Sequence, residues 1–161
     1  MRIDTETVMT EILYLEDLHP GQKFTSHAEE ITEAAIKEFA SQFDPQPFHL
    51  DHEAAKATLF GGLAASGWHT AAFTMRLNVT SGPKLAGGII GGGGEINWPT
   101  PTRPGDVLHV DSEVLEIIPS RSRPDRGMIV LRSDTKNQHG EIRQSIKMKL
   151  VAKRRPSEME S

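Results

Sequence analysis

An acid and an imidazole stand five positions apart on a proline-rich run, Asp44-Pro45-Gln46-Pro47-Phe48-His49, which continues as Leu50-Asp51-His52. Each proline fixes its own φ and disfavours helix in the residue before it. The spacing therefore predicts a stiff, bent loop on which the two side chains converge. Further on, Ala65-Ser66-Gly67-Trp68-His69-Thr70 sets a small-residue pair at the start of a helical pattern. The first turn of a helix has N–H groups with no intrahelical partner, and the helix dipole favours negative charge there. An acid, a base and a free helix N-terminus are the parts of a proton-transfer site with an anion hole. On spacing alone, Asp44 and His49 also suit ordinary turn and cap positions.

The elements that must hold these groups follow from hydrophobic periodicity. A turn at Tyr14–Gly21 leads into a first strand near Gln22–Glu30. Thr32 is an N-cap, and Ile36, Phe39, Ala40 and Phe43 recur at helical spacing up to the Asp44-Pro45 loop. Asp51 caps a second short helix through Ala57, and Phe60-Gly61-Gly62 is a turn. A longer helix runs from Gly67 to about Thr80, with Trp68, Ala72, Met75 and Val79 on one face. Small and apolar residues all round predict a helix buried on most sides, with Trp68 and Met75 in the core. Ser81-Gly82-Pro83 ends it.

The second half of the chain switches to period two. Gly94–Trp98 is strand-like. Leu108, Val110 and Val114 alternate with polar residues, as do Ile129 and Leu131. Ile142, Ile146, Met148 and Leu150 face one way, with Arg143, Lys147 and Lys149 opposite. Asn137–Gly140 fits a hairpin turn. Helices followed by consecutive antiparallel strands make an α+β domain. Residues 1–13 read as a poorly ordered N-terminal segment, 14–152 as the single domain, and 153–161 as a disordered polar tail.

A chain of 161 residues suits one domain. It has no cysteine, which excludes disulfides, thiolate catalysis and Cys-zinc sites. No apolar run approaches the roughly 20 residues of a membrane span, and the N-terminus lacks a signal pattern. A cytoplasmic protein is expected. The formal net charge of −4 argues against nucleic acid as a partner. His49, His52 and His69 match no strong metal-ligand spacing, so no metal is expected. Gly91–Gly94 lacks the Lys-Ser/Thr ending of a phosphate loop and reads instead as a flexible or closely approached edge beside the substrate path.

The run Asp44-Pro45-Gln46-Pro47-Phe48-His49-Leu50-Asp51, with Ser66-Gly67 and with Trp98…Pro101…Arg103-Pro104-Gly105-Asp106, resembles the MaoC-like dehydratases, among them the (R)-specific enoyl-CoA hydratases. The resemblance extends from about Tyr14 to about Val151. It implies a hotdog fold, in which a curved antiparallel sheet wraps a long central helix. It also implies a lyase that adds water reversibly to a 2-enoyl-CoA or related CoA thioester, giving an (R)-3-hydroxyacyl-CoA. Asp44 and His49 would share the reacting water, and Gly67 would supply the oxyanion N–H. Beside Gly67, Ser66 and Trp68 are expected against the substrate. Arg121 and Arg123, in the Pro119–Gly127 loop, would bind CoA phosphates unless that loop is simply a solvated connection. The thioester is the substrate, no cofactor is expected, and a homodimer with its sites near the subunit contact is implied.

Three positions depart from the family pattern. Gln46 replaces the usual Asn. Ser66 replaces the His before the glycine and reads as an N-cap. Met75 stands where many relatives carry a serine near the Asp, with Thr74 adjacent. Since the hotdog fold hosts several chemistries, an acyl-CoA thioesterase and a non-catalytic acyl-thioester binding subunit stand as alternatives.

Overall fold

The computed structural model describes residues 11–157. Six strands form one sheet in the order β1-β4-β5-β6-β3, with β2 paired to β4 off that path, and every strand pair is antiparallel. They are β1 (Lys23–Thr25), β2 (Glu29–Glu30), β3 (Gly91–Asn97), β4 (Val107–Pro119), β5 (Arg126–Lys136) and β6 (Ile142–Lys153). Among the described residues a 3-10 turn (Leu15–Asp17) and four α-helices precede β3: α1 (Glu33–Phe43), α2 (Pro47–Leu50), α3 (His52–Lys56) and α4 (Gly67–Ser81). Helix α4 lies along the sheet against β4 and β6. A long helix held by an antiparallel sheet is the hotdog arrangement.

The first strand expected over Gln22–Glu30 is two short strands, parted where Ser26 turns inward and its hydroxyl accepts from the Val110 N–H. Thr32 caps α1 by accepting from the Ala35 N–H, and Asp51 caps α3 by accepting from the Glu53 and Ala54 N–H groups. Gly94 tolerates the close approach expected of the glycine run. A Cβ there would lie 2.2 Å from the Lys147 carbonyl oxygen.

The chain ends are tied down further than the sequence suggests. Leu13 bridges Leu85. Lys153 belongs to β6, the Arg154 N–H donates to the Asp125 carbonyl, and Arg155 pairs with Asp17. The tail expected from residue 153 thus begins as bound chain. Residues 1–10 and 158–161 lie outside the described residues.

Two apolar clusters carry the core. One joins Ile31, Ile36, Leu63, Phe73, Leu77, Leu108 and Val110 around the middle of α4. The other, with Leu15, Phe24, Val114, Ile129 and Leu150, lies toward the β4–β5 hairpin. Beside Phe73 and Leu77, the buried face of α4 carries a polar row. Thr74 bonds Thr135 at 2.6 Å, Gln144 donates to Thr74 at 3.2 Å, and Asn78 donates to Ser133 at 3.4 Å.

This reverses the expected orientation of α4. Trp68, Met75 and Val79 are 61, 47 and 62% exposed, and they form an apolar stripe facing out. The sheet offers Ser133, Thr135 and Gln144 inward, so the threonines and Asn78 of the helix turn to meet them. Strand β6 also departs from strict alternation. Its ladder pairs Gln144 with Thr135 and Ile142 with Lys136, skipping Arg143. An extra residue in one strand breaks period two locally. Arg143 and Gln144 are consequently both buried, and Ile142 is exposed.

Candidate active site

Asp44 is the residue at which α1 stops. Its N–H still donates to the Ala40 carbonyl, but its φ of −154° has left the helix. Pro47 then opens α2 at a position where a missing N–H costs nothing. That one-turn helix carries His49 back under Asp44. The segment after Gly62 is pinned from both sides. Ala64 N–H donates to Phe48 O at 3.1 Å, and Ala65 N–H to Thr102 O at 2.9 Å. Arg103 clamps the preceding turn through the carbonyls of Phe60, Gly62 and Leu63.

His49 is 4% exposed. Its Nδ1 lies 2.6 Å from the Ala64 carbonyl oxygen. A carbonyl only accepts, so Nδ1 carries the hydrogen and Nε2 of the neutral ring presents a lone pair. That Nε2 lies 3.3 Å from Asp44 Oδ2. Phe48 and Phe60 enclose the ring at centroid distances of 4.6 and 5.7 Å.

Asp44 is held on both oxygens. Ser66 Oγ donates to Oδ2 at 2.7 Å, and Gln46 Nε2 donates to Oδ1 at 2.6 Å. Burial by itself would raise the Asp44 pKa. The Ser66 and Gln46 hydrogen bonds, with His49 alongside, hold it below the ordinary carboxylate value. Ser66 therefore occupies the N-cap position of α4 without capping it, since its hydroxyl is given to Asp44. Met75 faces outward, and Thr74 is spent on Thr70 O and Thr135. Ser66 does for Asp44 what neither of them can.

Gly67 begins α4. Among the described residues, no protein acceptor is recorded for its N–H or that of Trp68, while the His69 and Thr70 N–H groups reach back to the Ser66 carbonyl. The glycine also admits a neighbour. A Cβ at position 67 would lie 2.6 to 2.9 Å from three atoms of the Trp98 indole.

These groups border one cavity of about 260 Å³, lined by Asp44, His49, Phe60, Gly67, Trp68 and Trp98 among others. Thr70, Thr100, Thr102 and Arg143 add polar atoms. The Arg143 guanidinium is paired bidentately with Asp106, Nε to Oδ2 at 2.9 Å and Nη2 to Oδ1 at 3.3 Å, and Nη1 donates to Thr100 Oγ1.

Of the residues singled out from the sequence, Asp44, His49, Gly67 and Trp68 line this cavity, and Ser66 stands behind Asp44. Trp68 does so at the exposed rim rather than from the core. Arg121 and Arg123 are not brought to it. They are exposed in the β4–β5 connection, at the far end of a 13-residue strand that spans about 40 Å at roughly 3.3 Å per residue. The Gly91–Gly94 run does not line the cavity either. The three histidines weighed as metal ligands face different partners: His49 faces Asp44, His52 pairs with Glu33, and His69 stacks on Phe39. Sequence reasoning missed Phe60, Trp98 and Arg143. The bulge in β6 hides Arg143, and Trp98 carried no signal beyond its place in the family pattern.

The arrangement has counterparts. A model of the MaoC-like domain matches residues 17–136. The crystal structure of a MaoC-like dehydratase from Rhodospirillum rubrum is 62% identical, covering 90% of this chain and 99% of that one, with a TM-score of 0.89. A 3-hydroxybutyryl-CoA dehydratase of Methylorubrum extorquens is 34% identical over 122 residues, 70% of each chain. The (R)-hydratase PhaJ1 of Pseudomonas aeruginosa is 28% identical, covering 88% of this chain and 86% of that one, with a TM-score of 0.67. The family match spans most of the chain, from before β1 to the end of β5, and takes in every cavity-lining residue named above except Arg143, so this chain belongs to the MaoC-like domain family.

Proposed function

We propose that this protein is a lyase that adds water reversibly to the double bond of a 2-enoyl-CoA, giving a 3-hydroxyacyl-CoA of (R) configuration. One observation carries the reading: His49 Nε2 and Asp44 Oδ2 face each other at 3.3 Å on the cavity that the Gly67 end of α4 also borders. Both atoms are acceptors when His49 is neutral, so one water can donate a hydrogen to each. Its oxygen then bonds to C3, and a proton passes to His49 Nε2. C2 takes a proton returned by the same pair, and the double bond is lost. The thioester oxygen, gaining enolate charge, is held by the free N–H groups of Gly67 and Trp68 at the positive end of the helix dipole. Ser66 and Gln46 keep Asp44 ionised for this role. No cofactor takes part in these steps.

The working unit is a homodimer. Strand β3 is a sheet edge, Trp98 directly after it meets the exposed Trp68 at a ring-centroid distance of 5.3 Å, and such edges are normally covered. Two-fold pairing along β3 reverses strand direction. It carries the Arg121–Arg123 end of one copy toward the cavity of the other, and only there do these arginines reach CoA phosphates. Sedimentation at micromolar concentration tests the dimer, and a monomer would remove both statements.

The test of the chemistry is turnover of short, branched and long trans-2-enoyl-CoAs, with enoyl absorbance and free thiol followed together. Asp44→Asn and His49→Ala should each lower the rate by roughly 10²–10⁴. Thiol release without hydration would make the protein a thioesterase. Binding without turnover, unaffected by Asp44→Asn, would make it an acyl-thioester binding subunit.

A further inference from the structure

We infer that Arg103 is a positioning residue for His49, acting through the peptide groups on either side of Ala64. The inference rests on the lyase reading above, in which His49 Nε2 takes the proton, and adds what keeps that nitrogen free to do so. A neutral imidazole carries one N–H hydrogen, and only the tautomer with that hydrogen on Nδ1 leaves Nε2 able to accept. The tautomer is set by the bond the other nitrogen makes. Here that bond runs from Nδ1 to the Ala64 carbonyl at 2.6 Å. Whatever fixes the Ala64 carbonyl therefore fixes the working form of His49.

Four bonds hold the two peptide groups of Ala64. In the Leu63–Ala64 peptide, the N–H donates to Phe48 O at 3.1 Å and the carbonyl accepts from Arg103 Nη1 at 3.3 Å. In the Ala64–Ala65 peptide, the N–H donates to Thr102 O at 2.9 Å and the carbonyl accepts from His49. Phe48 and His49 are neighbours in the chain, as are Thr102 and Arg103. Each pair supplies one backbone oxygen and one side chain, so Ala64 is held between two dipeptides.

The turn that leads into Ala64 needs this grip. Its residues bond locally, Phe60 N–H to Thr58 Oγ1 and Gly61 N–H to Thr58 O, and Leu59 is fully exposed. The guanidinium gathers the turn. Its Nη2 donates to Phe60 O, and Nη1 donates to Gly62 O at 3.0 Å as well as to Leu63 O. A rigid fork reaches carbonyls in separate places, whereas a lysine ammonium is a single point. Arg103 is anchored in its turn. Its N–H donates to Asp106 Oδ2 at 2.8 Å, and its carbonyl accepts from the Asp106 N–H at 3.1 Å. Asp106 is the carboxylate that Arg143 pairs from β6.

The experiment is nitrogen-15 NMR of the histidine rings in wild type, Arg103→Met and Arg103→Lys, without substrate. It reads the His49 tautomer and the rate at which the Nδ1–H exchanges with solvent. The values of kcat and KM for crotonyl-CoA hydration are measured alongside. Wild type should carry the His49 hydrogen on Nδ1. Arg103→Met should speed its exchange by roughly tenfold to a hundredfold, the loss of about one charge-assisted hydrogen bond. It should lower kcat by roughly tenfold to a hundredfold, as a misplaced group does, with KM little changed. Arg103→Lys, which keeps the charge, should fall between.

A purely structural role would lower the melting temperature and leave the exchange rate and kcat of the folded variants at wild-type values, and that result overturns the inference. So does a wild-type His49 with its hydrogen on Nε2. Should Arg103→Met not fold, Arg103→Lys carries the test, and wild-type exchange in that variant overturns the inference equally. The ring measurement needs no turnover. A protein that shows the expected exchange but hydrates no enoyl thioester would lose the lyase reading and keep the role of Arg103 in holding His49.

Discussion

Ser66→Ala is the most informative single change. The Ser66 side chain is wholly buried, and its hydroxyl donates to Asp44 Oδ2 at 2.7 Å. A hydrogen bond to an ionised group contributes about 1.5–3 kcal/mol. Asp44 retains 17% side-chain exposure and the Gln46 bond, so water and Gln46 recover part of that. A loss of about 1–2 kcal/mol remains, and it falls on the ionised form. Asp44 has a depressed pKa in the folded protein, so its contribution to stability is present above the unfolded carboxylate value and fades as pH falls through the folded one. Without Ser66 the folded pKa rises toward the unfolded one, so that contribution is smaller and its loss is complete at higher pH.

The carboxyl titration of Asp44 should move up by about one pH unit in Ser66→Ala. Carbon-13 observation of that carboxyl reads the shift without turnover, while the plateau rate of crotonyl-CoA hydration should fall only modestly because Asp44 and His49 both remain. A carboxyl titration that stays in place, in a variant of unchanged melting temperature, would refute the claim that Ser66 controls Asp44.

Three further outcomes follow from the geometry. Gly67→Ala should displace the Trp98 indole and cost about 1–3 kcal/mol, read as a lower melting temperature with a shifted tryptophan emission. Arg143→Met leaves the buried Asp106 carboxylate without its guanidinium and should cost about 3–5 kcal/mol in urea unfolding, whereas Asp106→Leu/Arg143→Met should cost less. Burial, with Arg76 nearby, lowers the His69 pKa to about 4. The unfolded chain therefore binds a proton that the folded one refuses between about pH 6.5 and 4. Stability should fall as pH drops through that window, by at most about 3 kcal/mol from this residue, and His69→Phe should flatten the decline measured by urea midpoints at pH 7 and 4.5.

Much of this protein was decided by local sequence. The Asp44–His49 run encodes its own geometry, because prolines restrict the backbone and a one-turn helix has few ways to return. Thr32 and Asp51 cap helices where the sequence places them, since a cap is a contact within three residues. The alternation of β4 and β5 survives because each strand has one face on the core. Tertiary structure decided what local pattern leaves degenerate. Helix α4 is small or apolar on several faces, so only the polar inner surface of the sheet selected which face to bury. The bulge that turns Arg143 inward is a property of the β5–β6 register and not of either strand. Ser66 could serve the helix or the carboxylate, and the return of α1 beside α4 gave it to Asp44. Trp98 stands on the cavity beside Gly67 because Gln144, 46 residues later in the chain, accepts from its indole N–H. Contacts within one turn are written in adjacent residues, whereas these depend on where distant segments meet.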